Sequence, residues 1–284
     1  MKIGIGLPNQ VREMRPSIIP AWASQAETAG FSSLGTVGRI SYPGLMDTVA
    51  LAAAAGATNT IELISNIMIT PVWPATLLAK EVAGIDAVSG HRLTLGIGLG
   101  GRPDDFVVDG LGPRGTGKRL DQDLEVYRSV WRGETVDGAS NPLVPTGTRD
   151  VPLMFGGMAP ASFERMARWG AGYIGPSVPA EMAAQPFDAA RAAWTNAGRE
   201  GSPRLVAIAY CVFGDVERGR ANVLDYYSSA GEQVMGIISS GICAGPDAVR
   251  SAVQAYSELG VDELIFNPAL ADIDEVARLA DIVL

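Results

Sequence analysis

An α/β chain of the (β/α)8 TIM-barrel class, closed as a single domain over residues 1–284, is what the sequence predicts. Three observations carry that expectation. Strand-like and helix-like patterns alternate from one end of the chain to the other, the order that yields a parallel sheet covered by helices. The length of 284 residues, 47% of them hydrophobic and 19% charged, suits a barrel of about 250 residues. Ala29-Gly30-Phe31 and Leu259-Gly260-Val261 each close an amphipathic helix with a glycine before a strand, where a left-handed cap costs least.

The elements follow in order. Lys2 to Leu7 reads as a strand from the start of the chain, with no leader-like apolar region before it. Ser33 to Val37 follows the first glycine cap, and the alanine-rich helix Ala50 to Ala57 leads to a third strand at Ile61 to Ile69. The helix starting near Leu77 ends before Gly90, and Arg92 to Ile97 forms the fourth strand. The fifth strand is Val151 to Phe155 and the sixth is Ala171 to Ile174. The seventh is Arg204 to Val212, and Glu263 to Phe266 completes the eight. The long irregular stretches Gly98 to Gly117 and Gly133 to Asp150 lie beside strand ends, where barrels carry lids, binding loops or plain connections.

The glycines Gly96, Gly98, Gly100 and Gly101 make the mouth of the fourth strand a place for close approach by backbone or by a flat ligand. Pro103, Asp104 and Asp105 follow them. A dinucleotide fingerprint would instead open a helix there and place an acidic residue about 20 residues on. The net charge of −9 argues against a nucleic-acid partner, which requires clustered basic residues. No apolar run reaches the ~18 residues of a membrane span. Cys211 and Cys243 fit no zinc or disulfide framework and read as small buried hydrophobes, so the chain is expected to be soluble and cytoplasmic.

In a barrel the active site lies at the carboxyl ends of the strands. That ring comprises Pro8 and Asn9, Val37 to Arg39, Asn66 to Thr70 and Gly98 to Arg102. Gly156, Gly157, Gly175, Pro176 and Asn267 complete it. Phe155-Gly156-Gly157 ends a strand and opens a helix whose first, free N–H groups face the mouth; it either receives an anion or simply starts the helix. His91, the single histidine, precedes the fourth strand and therefore falls at the opposite, stabilising end. No imidazole triad or histidine-rich metal site is available, and the carboxylates form no acid/base pair, so a cofactor is expected to carry the reaction.

The chain resembles the bacterial luciferase-like family of flavin- and deazaflavin-dependent oxidoreductases. The resemblance rests on Lys2-Ile-Gly-Ile-Gly-Leu-Pro8, Ala26-Glu-Thr-Ala-Gly-Phe31, Asn66-Ile-Met-Ile-Thr-Pro71 with Leu77-Leu-Ala-Lys80, and Ile85-Asp-Ala-Val-Ser-Gly90 with Leu95-Gly-Ile-Gly98. Arg119-Leu-Asp121, Pro152-Leu-Met-Phe-Gly-Gly157, Ala167-Arg-Trp-Gly-Ala-Gly172 and Gly260-Val-Asp-Glu263 extend it through most of the chain. The resemblance implies coenzyme F420, with FMN as the alternative. The ring would rest on a bulge of the third strand at Asn66, Ile67, Met68 and Thr70 beside Gly98, with a non-proline cis peptide at Asn66-Ile67 or Ile67-Met68. It places cofactor phosphate near Gly156, Gly157, Gly175 and Pro176.

The departures from the family define expectations too. Val37-Gly38-Arg39 stands where many members carry an acidic residue and a histidine, and an arginine cannot act as that base. Leu99 and Arg102 replace the glutamate and asparagine of deazaflavin-dependent sugar-phosphate dehydrogenases. Neither that activity nor light emission is expected. Arg39 and Arg102 instead suit an anionic group of substrate or cofactor. The expected reaction is hydride transfer or oxygen insertion on a small organic molecule, with cofactor binding without turnover as the alternative. A homodimer is expected through the helices around the second and third strands.

Overall fold

The computed structural model describes residues 1–107, 110, 112, 114–136 and 138–284. Its strands are β1 (Lys2–Gly6), β2 (Ser33–Thr36), β3 (Glu62–Ser65), β4 (Met68–Ile69), β5 (Leu93–Gly98), β6 (Leu153–Phe155), β7 (Gly172–Ile174), β8 (Arg204–Val212), β9 (Ile242–Ala244) and β10 (Glu263–Pro268). Every pairing is parallel, and the order β10-β1-β2-β3-β5-β6-β7-β8 closes because β10 pairs with β8 from Glu263↔Val206 to Pro268↔Cys211. The chain is a closed (β/α)8 barrel, as expected.

Helices α1 (Ile18–Ala29), α2 (Asp47–Ala57), α3 (Ala75–Val88), α4 (Asp104–Val107), α5 (Thr116–Trp131), α6 (Pro160–Trp169), α7 (Ala180–Asn196), α8 (Val216–Tyr227), α9 (Glu232–Ser240), α10 (Pro246–Glu258) and α11 (Asp274–Val283) surround it. Gly30 ends α1 at φ 99°, donating its N–H to Ala26 and Glu27, and Gly260 follows α10 at φ 66°. Both glycines therefore occupy the left-handed conformation that the sequence anticipates.

Strand alternation builds two apolar layers. In β10, Ile265 points into the barrel with Ile64, Met154, Ile174, Val206 and Ile208. Its neighbours Leu264 and Phe266 pack outward against the helices, in the core that also holds Trp22 and Trp131. Below the barrel, Arg204 joins Glu62 and the buried Glu263, and Ser32 and Ser33 donate to the same Glu263 carboxylate. These bonds seal the amino-terminal end, away from the site.

Two features differ from the sequence expectation. The run Ile61 to Ile69 is not one strand: it breaks into β3 and β4. The peptide Asn66-Ile67 between them is cis, one of the two positions that the family resemblance implies. A ninth segment, β9, adds to β8 through Tyr210↔Ile242, Cys211↔Cys243 and Val212↔Ala244. Three residues carry too short an alternation for a strand to be read from sequence. With α8 and α9 it encloses a satellite core of Val212, Val223, Ile238 and Ile242.

Candidate functional site

The carboxyl ends of β1, β2, β3 and β10 hold a polar layer above the apolar barrel interior. Asn66 donates from Nδ2 to Asn267 Oδ1 at 3.4 Å, and glycines make room for both amides. A Cβ at Gly6 would lie 2.4 Å from Asn267 Oδ1, and one at Gly35 would lie 2.9 Å from Asn66 Oδ1. Asn9, also buried, donates to the Val37 and Leu45 carbonyls at 2.9 and 3.1 Å, tying the loop after β1 to the loop after β2.

That layer is not internally satisfied. Asn66 Oδ1, Asn267 Nδ2 and Asn9 Oδ1 are buried without a protein partner, whereas the Thr36 hydroxyl faces Asp47 and the Thr70 hydroxyl faces the Tyr127 phenol. Buried polar atoms are normally paired, because each unpaired one forfeits about 1–3 kcal/mol of lost hydration. Asn66 and Asn267 thus present unused polar atoms beside the β3–β4 break.

The glycines expected at the mouth have particular neighbours. Ile67 lies across Gly98 and Gly156, so that a Cβ would stand 1.7 Å and 3.2 Å from its side chain. Gly157, at φ 111°, precedes α6, and its carbonyl accepts the Tyr173 hydroxyl at 3.1 Å. The space beside Gly175 is filled by the Phe187 ring, 2.6 Å from a Cβ there. Pro176 and Ser177 follow, and Ser177 Oγ has no geometrically sound partner. The sequence places these glycines on one rim, but several of them accommodate neighbouring side chains.

Arg39 departs from the expectation of an anion receptor. It is buried, and Nε meets Asp105 Oδ2 at 3.2 Å, Nη2 pairs with Asp104, and Nη1 donates to the Tyr226 carbonyl at 3.3 Å. Asp105 also accepts the N–H groups of Ile40 and Ser41 at 3.0 and 2.8 Å. The chain supplies its own anion to Arg39, and the result is a clamp between the loops after β2 and β5. Asp104 and Asp105, expected on a loop, begin the short helix α4.

Arg102 is placed differently. Its guanidinium carbon lies 4.9 Å and 4.8 Å from the ring centroids of Tyr226 and Tyr227. Tyr42 packs edge-on to Tyr226 at 5.2 Å, and the Tyr210 hydroxyl lies 3.4 Å from that of Tyr227. Burial raises the pKa of Tyr210, Tyr226 and Tyr227, so these phenols stay neutral. A narrow cavity beneath α8, lined by Leu7, Gln10, Tyr210, Tyr226 and Asn267, lies beside them. The aromatic cluster was not anticipated, although the adjacent Tyr226 and Tyr227 at the end of a helix were a visible signal.

Asp47, at the start of α2, was missed as well. The other buried carboxylates Asp86, Asp105, Asp123, Glu263 and Glu275 each meet an arginine; among the described residues Asp47 meets no cation. Burial pushes its carboxyl up to about 6, opposed by the Thr36 hydroxyl, although Oδ1 has no well-formed hydrogen bond. It is therefore an acid poised near neutral pH at the end of β2. His91 sits elsewhere, before β5, with Nδ1 2.8 Å from Asp86 and Arg149 on the same carboxylate.

Among the described residues no His, Cys, Asp or Glu group has a metal-binding arrangement, and no helix is long and apolar enough to cross a membrane. Without an imidazole or an activated nucleophile, the rim can bind, orient and exchange protons, but it offers no electron carrier of its own.

Comparison with known proteins gives concordant results. The family described as luciferase-like monooxygenase matches residues 1–263. An uncharacterized protein of Mycobacterium tuberculosis is 29% identical over 175 residues, 51% of this chain and 61% of that protein. The match thus spans about three fifths of the curated relative's length. An F420-dependent secondary alcohol dehydrogenase in complex with an F420-acetone adduct superposes with a TM-score of 0.79 at 15% identity, covering 99% of this chain and 98% of the other. The FMN-bound oxygenating constituent of 3,6-diketocamphane monooxygenase from Pseudomonas putida gives 0.75 at 15%, covering 99% and 95%. At such identities these structures establish the shared fold.

Proposed function

The chain belongs to the luciferase-like monooxygenase family, and from that premise we propose that it is an oxidoreductase using reduced coenzyme F420, with FMN as the alternative, on a small organic substrate. The observation that carries this reading is the pair of unpaired buried amide atoms at the β3–β4 break, Asn66 Oδ1 and Asn267 Nδ2. A flat heterocycle edged with carbonyl and N–H groups matches such mixed donors and acceptors. The structural neighbours that bind F420 and FMN support a cofactor of this type.

In this reading Asn66, Ile67, Met68 and Thr70 form the bed of the ring, with Gly98 and Gly156 leaving space beside it. Gly156 and Gly157, before α6, with Gly175 and Pro176 opposite, receive the phosphate end. Bound there, the cofactor supplies a hydride or, as FMN, activates oxygen. The chain's own residues do the rest. The asparagines Asn66 and Asn267 orient polar edges, and the apolar wall around Ile67 and Tyr210 excludes water. Asp47 holds a proton close to neutral pH, a role that Arg39, locked by Asp104 and Asp105, cannot take. The reading includes a single catalytic domain and a homodimer.

The test is cofactor oxidation by the purified chain, with reduced F420 and short ketones under nitrogen, and with reduced FMN and the same ketones in air. Substrate-dependent consumption in either condition supports an enzyme and separates hydride transfer from oxygen insertion. Cofactor binding without consumption across a broad substrate panel contradicts turnover and leaves a binding protein.

A further inference from the structure

Two guanidinium groups meet at the barrel mouth, and carboxylates neutralise only one. Asp104 and Asp105 both turn to Arg39. Arg102, two residues before Asp104, is half-buried and forms no ion pair among the described residues. The rings of Tyr226 and Tyr227 cover it at 4.9 and 4.8 Å. The two ring centroids are themselves 5.1 Å apart with their planes at 77°, so both rings lie on one side of the guanidinium, and the Tyr226 hydroxyl is its hydrogen-bond neighbour. Among the described residues no carboxylate takes its N–H donors, which suit a carboxylate or phosphate.

The tyrosine platform is built rather than incidental. The Tyr226 hydroxyl donates to the Gly38 carbonyl at 3.3 Å, Tyr226 and Tyr227 meet edge to face at 5.1 Å, and Tyr227 meets Tyr210 in the same way at 6.0 Å. Three contacts therefore hold the rings against which Arg102 rests. Apolar rings also lower the local dielectric, so a charge there attracts an anion more strongly than it would in water. The surrounding tyrosines remain neutral and cannot serve as that anion.

We propose that Arg102, resting against Tyr226 and Tyr227 without a carboxylate partner, is the receptor for an oxyanion carried by a ligand of this mouth, either the carboxylate of the substrate or the phosphate of the cofactor. The inference rests on the functional reading above only for the identity of that ligand. The receptor itself follows from the unequal treatment of Arg39 and Arg102. Substrates of the first kind are small organic acids; in the second case Arg102 fixes the cofactor's tail instead.

Calorimetric titration of the full chain with benzoate, FMN and riboflavin, in wild type, R102M and R102K, tests it. Thermal unfolding of each variant checks that it is folded, and R102K serves if R102M is not. Benzoate binding that weakens about tenfold or more in R102M and partly recovers in R102K, with FMN unaffected, assigns the oxyanion to substrate. FMN weakening by a similar factor while riboflavin stays constant assigns it to cofactor phosphate. Equal binding of benzoate and FMN by wild type and folded R102M, or no benzoate binding with FMN unaffected, overturns the receptor. If FMN does not bind wild type at all, the benzoate arm still decides on Arg102, so failure of the cofactor reading is distinguishable from failure of the receptor.

Discussion

The carboxyl of Asp47 occupies the space that Gly38 leaves at the end of β2: a Cβ built on Gly38 would stand 2.0 Å from Asp47 Oδ2. A residue on the first turn of a helix thus delivers an acid to the position where the strand itself carries no side chain. Because no cation accompanies it among the described residues, the environment favours the neutral form.

The pH dependence of stability follows. The folded-state pKa of Asp47 is raised from the ordinary 3.8 to about 6. The unfolded chain therefore releases this proton first, and the native state loses stability as pH rises from about 4 to about 6, levelling off above. Asp47→Asn removes the penalty while keeping the shape, so above pH 6 it is expected to gain up to roughly 3 kcal/mol over wild type, at 1.36 kcal/mol per pH unit. Urea unfolding at intervals from pH 4 to 8 checks this; parallel curves for the two proteins would count against a neutral Asp47.

Arg39 is expected to matter for stability. Arg39→Met leaves Asp105 buried without its cation and should cost about 3–5 kcal/mol. The double variant R39M/D105N, which removes the stranded charge, should recover much of that. Chemical denaturation of the two variants measures it, and an R39M protein as stable as wild type would contradict the clamp.

The mouth glycines differ in what they protect. A Cβ at Gly96 would lie 1.9 Å from the Ser65 carbonyl oxygen, which belongs to backbone, whereas one at Gly98 meets the movable Cδ1 of Ile67. Gly96→Ala is therefore expected to cost more than the ~1–3 kcal/mol typical of overpacking, and Gly98→Ala less. Truncating Ile67 to alanine in the G98A background should relieve the overlap. Melting temperatures of the single and double variants read this out as coupling between positions 67 and 98.

Much of the barrel was legible because its pattern is local. Ile3 and Ile5, then Leu93, Leu95 and Ile97, announce strands by their own spacing, and Gly30 and Gly260 announce helix ends. The site was legible only as a list of strand ends. Arg39 is paired with carboxylates 65 and 66 positions away, a distance over which sequence patterning carries no information about contact. Asp47 looks like an ordinary residue at a helix start, and its burial depends on Gly38 and Thr36 from another element. The break at Asn66-Ile67 interrupts an apolar run that otherwise reads as continuous strand, and it was anticipated through family resemblance alone.

The central claim is that the β3–β4 break is the bed of a flavin-type cofactor. The most direct measurement is equilibrium titration of wild type and Thr70→Val with F420 and FMN, oxidised and reduced, followed by fluorescence and calorimetry. Thr70→Val keeps the side-chain volume and removes the hydroxyl at this position, which faces the Tyr127 phenol. The account predicts that wild type binds one of the two cofactors and that T70V, folded to the same extent, weakens it by about 1 kcal/mol, the usual worth of a hydrogen bond. Binding of neither cofactor by wild type, in either redox state, would contradict it.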